Sequence, residues 1–441
     1  MSTIVPIRGI RYVLEEIEDL AQVVTPPYDI IDTAAQARYY ARHPNNIIRL
    51  ELGQTFAQDD EKNNRYLRAA NYYTRWLAEG ILAREEQPAL YLYEQEFEYH
   101  GEKKVRTGFI CGVRLEPYSN GNILPHEETL SKPKADRLQL MRACRANFSP
   151  VFGLYADPQQ AINQALQSDC TQRPPDMEFT DESEETHRLW VIADPTILKE
   201  VVERMTALPI FIADGHHRYE TALSFAEEMQ TQDLKGYDTV LMTLVNLYDP
   251  GMLILPTHRL VKNIRNLDQE HFKDQLFTYF EVEPFVLPSG EAEQAEAITD
   301  FFNQLETRGK TGHVFGMYSR EKGLSLLTLK PECSPHALLD PDRSAAWRNL
   351  DVAILDNLVL DRLLGIGSEQ RKNQDHLTYT RSEQEALDLV NAGIEQLAFF
   401  LNPTRVEEVT QVASAGDKMP QKSTYFYPKL ITGLVINPLG E

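Results

Sequence analysis

At residues 212–223 the chain reads IADGHHRYETAL. The apolar run ending at Asp214 extends upstream to Pro209 as PIFIAD, the length of a short buried strand. Gly215 permits a tight turn, and HHRYETALSFAEEM then carries apolar residues at helical spacing from His216 onward. A helix start presents backbone N–H groups without intrahelical partners and the positive end of the helix dipole, which together favour a phosphate or carboxylate. Arg218 adds a planar guanidinium that can hold two phosphate oxygens at once. His216 and His217 can donate hydrogen bonds to the same oxygens or move a proton. Asp214, at the strand end, can hold Mg²⁺ or accept a proton from a hydroxyl. The plainer alternative makes Asp214 an N-cap and the histidines first-turn surface residues. A metal site on His216 and Glu220 finds no third ligand nearby in sequence.

Outward from this turn, strand-like runs alternate with helices. Upstream, LPHEETLSKPKADR (124–137) reads as a loop entering a helix, followed by the strand PVFGLYA at 150–156. There Glu127 and Glu128 lie beside His126, with Lys132, Lys134 and Arg137 close behind. A carboxylate in such company can act as a general base or face a bound anion through a metal; it can equally belong to an acidic loop whose Thr129 or Ser131 caps the helix. MEFT and HRLWVIAD flank the acidic turn DESEE (181–185) as a hairpin, and ALYLYEQEFEY and VRTGFICGVRL form another across HGEKK. A helix is predicted over 59–78 from Tyr66, Leu67, Ala70, Tyr73, Trp76 and Leu77. In TPPYDII (25–31) two prolines impose a stiff, non-helical loop that carries Asp29.

Downstream, DTVLMTLVNLY reads as a strand, and PTHRL (256–260) offers His258 and Arg259 to an anion. EAEQAEAITDFFNQLE reads as a helix, HVFGMYSREKGLSLLTLK as a hairpin and NLDVAILDNLVLDRLLG as an apolar helix. MPQKSTYFYPK (419–429) offers Lys422, Ser423 and Lys429, where a solvated strand edge is the ordinary reading. The alternation predicts an α+β fold of meandering sheets, with linkers placed near Pro288 or Pro331.

Composition narrows the function. The 441 residues include 44 Lys and Arg against 66 Asp and Glu, a net charge of −22. That charge repels a phosphate polymer, so nucleic acid is a disfavoured partner; the phosphate chemistry of 214–218 makes a small molecule the expected one. With 42% apolar and 25% charged residues the chain is an ordinary globular protein. Cys111, Cys144, Cys170 and Cys333 lie far apart, which fits neither a zinc knuckle nor a disulfide framework. No apolar run reaches about 18 residues, so no membrane span is expected, and the acidic first 20 residues do not read as a signal peptide. A cytoplasmic location is expected.

PPYDII, PHEETLSKPKADRLQLMRA, SPVFGLY, ADGHHRYETAL, LPTHRL and MPQKSTYFYPKL, in this order, resemble domain-of-unknown-function family 1015 across nearly the whole chain. Locally, Gly215-His216-His217-Arg218 resembles the phosphate-binding turn of the ParB/sulfiredoxin superfamily. The resemblance implies a ParB/sulfiredoxin-like core over 120–260, with additional α+β regions over 1–119 and 261–441. Sulfiredoxins carry Gly-Cys-His-Arg in the turn; His216 stands where their reactive cysteine would be, which argues against sulfinic-acid repair. The free-serine kinases of the superfamily carry Asp-Gly-His-His-Arg, similar to 214–218, and an upstream Pro-His-Glu, similar to Pro125-His126-Glu127.

That likeness implies Glu127 as the base and Asp214 as Mg²⁺ ligand or second base. Gly215, His216, His217 and Arg218 would grip the phosphates of ATP, ADP or pyrophosphate. Asp29, His126, Arg259 and Lys422 are the further pocket candidates. The implied activity is a kinase acting on free serine or a similar hydroxylated metabolite. A ParB-like nucleotide-binding regulator and a phosphohydrolase using the same grip are the alternatives. The former predicts a basic helix-turn-helix downstream of the turn, and none is evident.

Overall fold

A computed structural model of the chain describes residues 3–125, 131–170, 173–264, 269–288, 290–373 and 375–440. The fold is mixed α+β and divides into two units, Met1–Leu253 together with Pro428–Glu441, and Ile254–Tyr427. No helix among the described residues is long and apolar enough to cross a membrane.

The first unit is built on one nine-stranded sheet. Its strands are β1 (Ile4–Val5), β2 (Leu90–Tyr99), β3 (Glu102–Arg114), β4 (Ile123–Leu124), β5 (Val151–Tyr155), β6 (Met177–Thr180), β7 (Thr186–Ile192), β8 (Ile210–Asp214) and β9 (Thr239–Asn246). Their order is β4-β8-β5-β9-β3-β2-β7-β6, with β1 added on β3. The β4–β8 and β5–β9 pairs are parallel, and the rest of the sheet is antiparallel. Both predicted hairpins, β2–β3 and β6–β7, are present. β5 and β9 read as continuous apolar runs because both of their faces are buried. β2 and β3, from the segment before residue 120, share main-chain ladders with β7 and β9 of the 120–260 segment.

Five helices of this unit matter for the site: α1 (Thr33–Arg42), α2 (Ile48–Glu51), α3 (Arg65–Ala78), α4 (Ser131–Cys144) and α5 (His216–Thr231). α3 begins later than its periodicity suggests. Asn64 caps it by accepting from the N–H groups of Tyr66 and Leu67, both at 3.1 Å, and Asp59 instead holds Arg68 at 2.7 Å. The segment after Tyr427 returns to the same unit. Thr432 exchanges main-chain hydrogen bonds with Thr25 (3.2 and 2.7 Å), and Ile436 with Ile10 (2.9 Å each way).

The second unit carries an antiparallel six-stranded sheet. It comprises β10 (His258–Val261), β11 (Phe280–Phe285), β12 (Val314–Ser319), β13 (Gly323–Leu329), β14 (Leu377–Thr380) and β15 (Leu397–Phe400), in the order β11-β13-β12-β15-β10-β14. The expected β12–β13 hairpin and the helix α6 (Glu291–Gly309) are both present. The apolar segment near 355 departs from a plain helix: α7 (Asp351–Ile354) runs into a π-helical stretch, Leu355–Leu363. Ile354, Leu355, Leu358, Val359 and Leu360 are fully buried there.

Candidate functional site

β8 delivers Asp214 through an irregularity: the register against β5 shifts between Ile212 and Asp214. Such a bulge re-aims the side chain that follows it. Gly215 then adopts φ +89°, in the left-handed region, and α5 starts at the next residue. A Cβ at Gly215 would lie 2.8 Å from Nε of Arg218 and 3.0 Å from its Cζ. Arg218 folds back over the turn into space that only glycine leaves open. Gly215, the N-cap, brings no side chain to the first turn of α5, whose positive end faces the same region.

Asp214 is therefore not the helix cap. Its Oδ2 accepts from Lys429 Nζ at 2.7 Å, and its Oδ1 lies 3.7 Å from Arg218 Nη2. Burial opposes ionisation, but the charges of Lys429, then Arg218 and His216, hold this carboxyl well below the usual carboxylate range. Arg218 donates through Nη1 to the carbonyl of Pro150. Burial works against its charge, yet Asp214, Asp29, Tyr28 and Glu51 together raise its pKa.

The PPYDII loop contributes to this field. Tyr28–Ile30 forms a single 3-10 turn after Pro27, where a wholly non-helical loop was expected. The Tyr28 ring lies under the Arg137 guanidinium at 4.0 Å. Burial raises the Tyr28 phenol, and Arg218 and Arg137 partly offset it. Arg137 is buried and ties α4 to α2, donating to Glu51 Oε1 at 3.0 Å and to Asp136 Oδ2 at 2.6 Å. Ser149 donates to the same Glu51 oxygen at 2.8 Å. His216 is buried, whereas His217 is half-buried. Burial, then Lys134 and Arg218, lower the His217 pKa against the pull of Glu220 and Asp29. The imidazole is thus held toward its neutral form. Lys134 itself pairs with Glu220 at 2.9 Å.

Of the residues singled out from sequence, Asp214, Gly215, His216, His217 and Arg218 share this turn, and Asp29 acts on two of them electrostatically. Glu127 and His126 lie outside the described residues. Arg259 and Lys422 belong to the second unit. Arg259 is 1% exposed and is committed to Asp356 Oδ1 at 3.4 Å and to the carbonyls of Thr257 and Lys422. Lys429, read as a strand-edge lysine, instead reaches Asp214. Its carbonyl accepts from Gln95 Nε2 at 3.1 Å, and the preceding carbonyl, of Pro428, accepts from Arg106. Glu51, Ser149 and Tyr28 carried no sequence signal of their own.

The family model described as "Protein of unknown function (DUF1015)" matches residues 4–353. Among solved structures, the chain is similar to a free serine kinase in complex with AMP, at 12% identity, over 75% of this chain and 91% of that one, with a TM-score of 0.36. It is also similar to a conserved hypothetical protein from Pyrococcus furiosus, at 14% identity, 74% and 95% coverage and a TM-score of 0.33. A third similar structure is SbnI with a C-terminal truncation from Staphylococcus aureus, at 10% identity, 74% and 87% coverage and a TM-score of 0.34. A comparison with curated proteins finds no match.

Proposed function

The chain belongs to the DUF1015 family of proteins of unknown function, and from that premise we propose that it is a small-molecule phosphotransferase. Its donor is a nucleotide (ATP or ADP) or pyrophosphate, and its acceptor is free serine or a similar hydroxylated metabolite. The observation that carries this reading is the meeting of Gly215, the start of α5, Arg218 and Lys429 around one carboxylate. Two fixed cations beside a helix N-terminus suit the charge that gathers on a transferring phosphoryl group. The motif likeness to free-serine kinases adds Glu127 as the base, with His126 and Asp29 at the pocket wall.

In this mechanism the phosphoryl group passes from the donor's terminal bridging oxygen to the acceptor hydroxyl oxygen. The hydroxyl proton goes to Glu127, and the donor leaves one phosphate shorter. Arg218 and Lys429 take the phosphate oxygens, and the ionised Asp214 keeps both cations in place between turnovers. Asp214 is also the proposed Mg²⁺ ligand, and it fits that task incompletely. Its two oxygens already face Lys429 and Arg218, so the donor set suits an ion carried in on the phosphates. When bound, Mg²⁺ would neutralise phosphate charge.

Phosphorus NMR with Mg²⁺ and ATP, ADP or pyrophosphate in turn, each with and without L-serine, tests the proposal. A phosphomonoester that requires serine is expected. It should be lost in Glu127→Gln and fall by about 100-fold or more in Arg218→Ala. Phosphate released equally with and without serine would instead identify a hydrolase. Nucleotide bound without turnover would sink the kinase reading in favour of a ParB-like switch.

A further inference from the structure

Away from the phosphate turn, the β6–β7 hairpin gathers Asp181, Glu185 and His187, one potential ligand atom from each lying within 4.8 Å of the others. We propose that these three side chains hold a divalent transition-metal ion, with Zn²⁺ the best fit to their chemistry. The inference does not depend on the phosphotransfer reading.

The histidine points to a ligand independently of the carboxylates. His187 is 1% exposed, yet its Nε2 makes no hydrogen bond. It lies 3.3 Å from Asp181 Oδ2, in contact but not in hydrogen-bond alignment. Two ligand atoms each about 2.0–2.1 Å from one tetrahedral ion are themselves about 3.3 Å apart. The rest of the ring is fixed as a metal-bound imidazole usually is. Nδ1 meets the Tyr93 hydroxyl at 2.7 Å, and the ring stacks on Phe179 with centroids 5.0 Å apart. With Nδ1 carrying the proton, the Nε2 lone pair aims into the cluster.

The carboxylates are oriented just as firmly. Asp181 Oδ1 is occupied by the main-chain N–H groups of Ser183 (2.8 Å) and Glu185 (3.1 Å), leaving Oδ2 turned toward His187. Glu185 is buried, and its Oε2 accepts from Gln95 Nε2. Arg106 stands one layer behind, donating to Gln95 Oε1, and offsets part of the acidic charge without entering the cluster. The Asp181 side chain keeps 14% of its surface exposed, which gives an entry path and room for a water as fourth ligand. One imidazole and two carboxylates favour a first-row transition ion over Mg²⁺ or Ca²⁺, which take oxygen donors. Gln95 Nε2 also donates to the Lys429 carbonyl at 3.1 Å, so a single side chain separates this cluster from the lysine on Asp214.

The test uses untagged full-length protein stripped with a chelator, then titrated with Zn²⁺ by calorimetry and with Co²⁺ by visible absorption. Uptake of about one ion per chain, with the d–d bands of a low-coordinate Co²⁺ site, is expected. Asp181→Asn and His187→Gln should each weaken binding by at least about ten-fold. Asp181→Asn retains an oxygen for the turn's main-chain N–H groups, so it reports on metal even if the buried His187→Gln misfolds. No uptake by the wild-type chain, or uptake unchanged in a folded Asp181→Asn, would overturn the proposal.

Discussion

Asp214 and Lys429 sit about 80% buried, so their ion pair is worth more than an exposed one. Replacing Lys429 with Met leaves Asp214 facing Arg218 at 3.7 Å and should cost about 1–3 kcal/mol at neutral pH. The pH dependence follows from the depressed Asp214 pKa. A carboxyl whose folded pKa lies below its unfolded value stabilises fully above the unfolded value, about 3.9, and loses that contribution as pH falls through the folded one. The difference between wild type and Lys429→Met should therefore hold constant from about pH 8 to pH 5 and shrink below about pH 4. Urea melts from pH 8 down to the lowest pH at which the fold survives check it; a gap that showed no narrowing at all below about pH 4 would mean that Lys429 acts through packing. The five residues 214–218 were legible as one strand–turn–helix cluster because their chemistry is contiguous. Lys429 was not, because nothing local to MPQKSTYFYPK says which way the lysine turns.

Among the elements, strands and hairpins followed their alternation closely, and α5 begins where the sequence put it. The departures have local causes. α3 starts late because Asn64 is a better cap than anything before it, and the segment after Ile354 winds more widely than an α-helix. The Glu51–Arg137 pair shows what pattern reading misses, since a buried charge on α2 becomes meaningful only when α4 brings its partner. Both side chains are under 10% exposed. Arg137→Met alone should cost about 3–5 kcal/mol, because Glu51 is left buried with, among the described residues, the hydroxyl of Ser149 as its remaining side-chain hydrogen bond. Arg137→Met combined with Glu51→Met should recover much of that loss in chemical denaturation. If the double variant is no better than the single, then Tyr28 stacking or Asp136, not Glu51, carries the role of Arg137.

At the level of the whole molecule, the first unit is interrupted: residues 254–427 form a separate unit between Leu253 and Pro428. Neither proline-marked linker predicted this, because the division falls beside strands and not in a polar stretch. A chain of residues 1–253 joined through a flexible linker to 428–441 should fold and bind ADP. Residues 1–253 alone should bind at least about ten-fold more weakly, lacking Lys429. Equal calorimetric affinity for the two would remove Lys429 from the proposed phosphate grip.

The same interruption sets a schedule. A ribosome adding about 5–20 residues per second reaches Lys429 roughly 10–40 s after Asp214. Through that interval Asp214 and Arg218 exist without the lysine that completes their charge. A nascent chain can therefore assemble its nine-stranded sheet while Asp214 still has only one of the two cations that face its carboxylate oxygens in the finished fold.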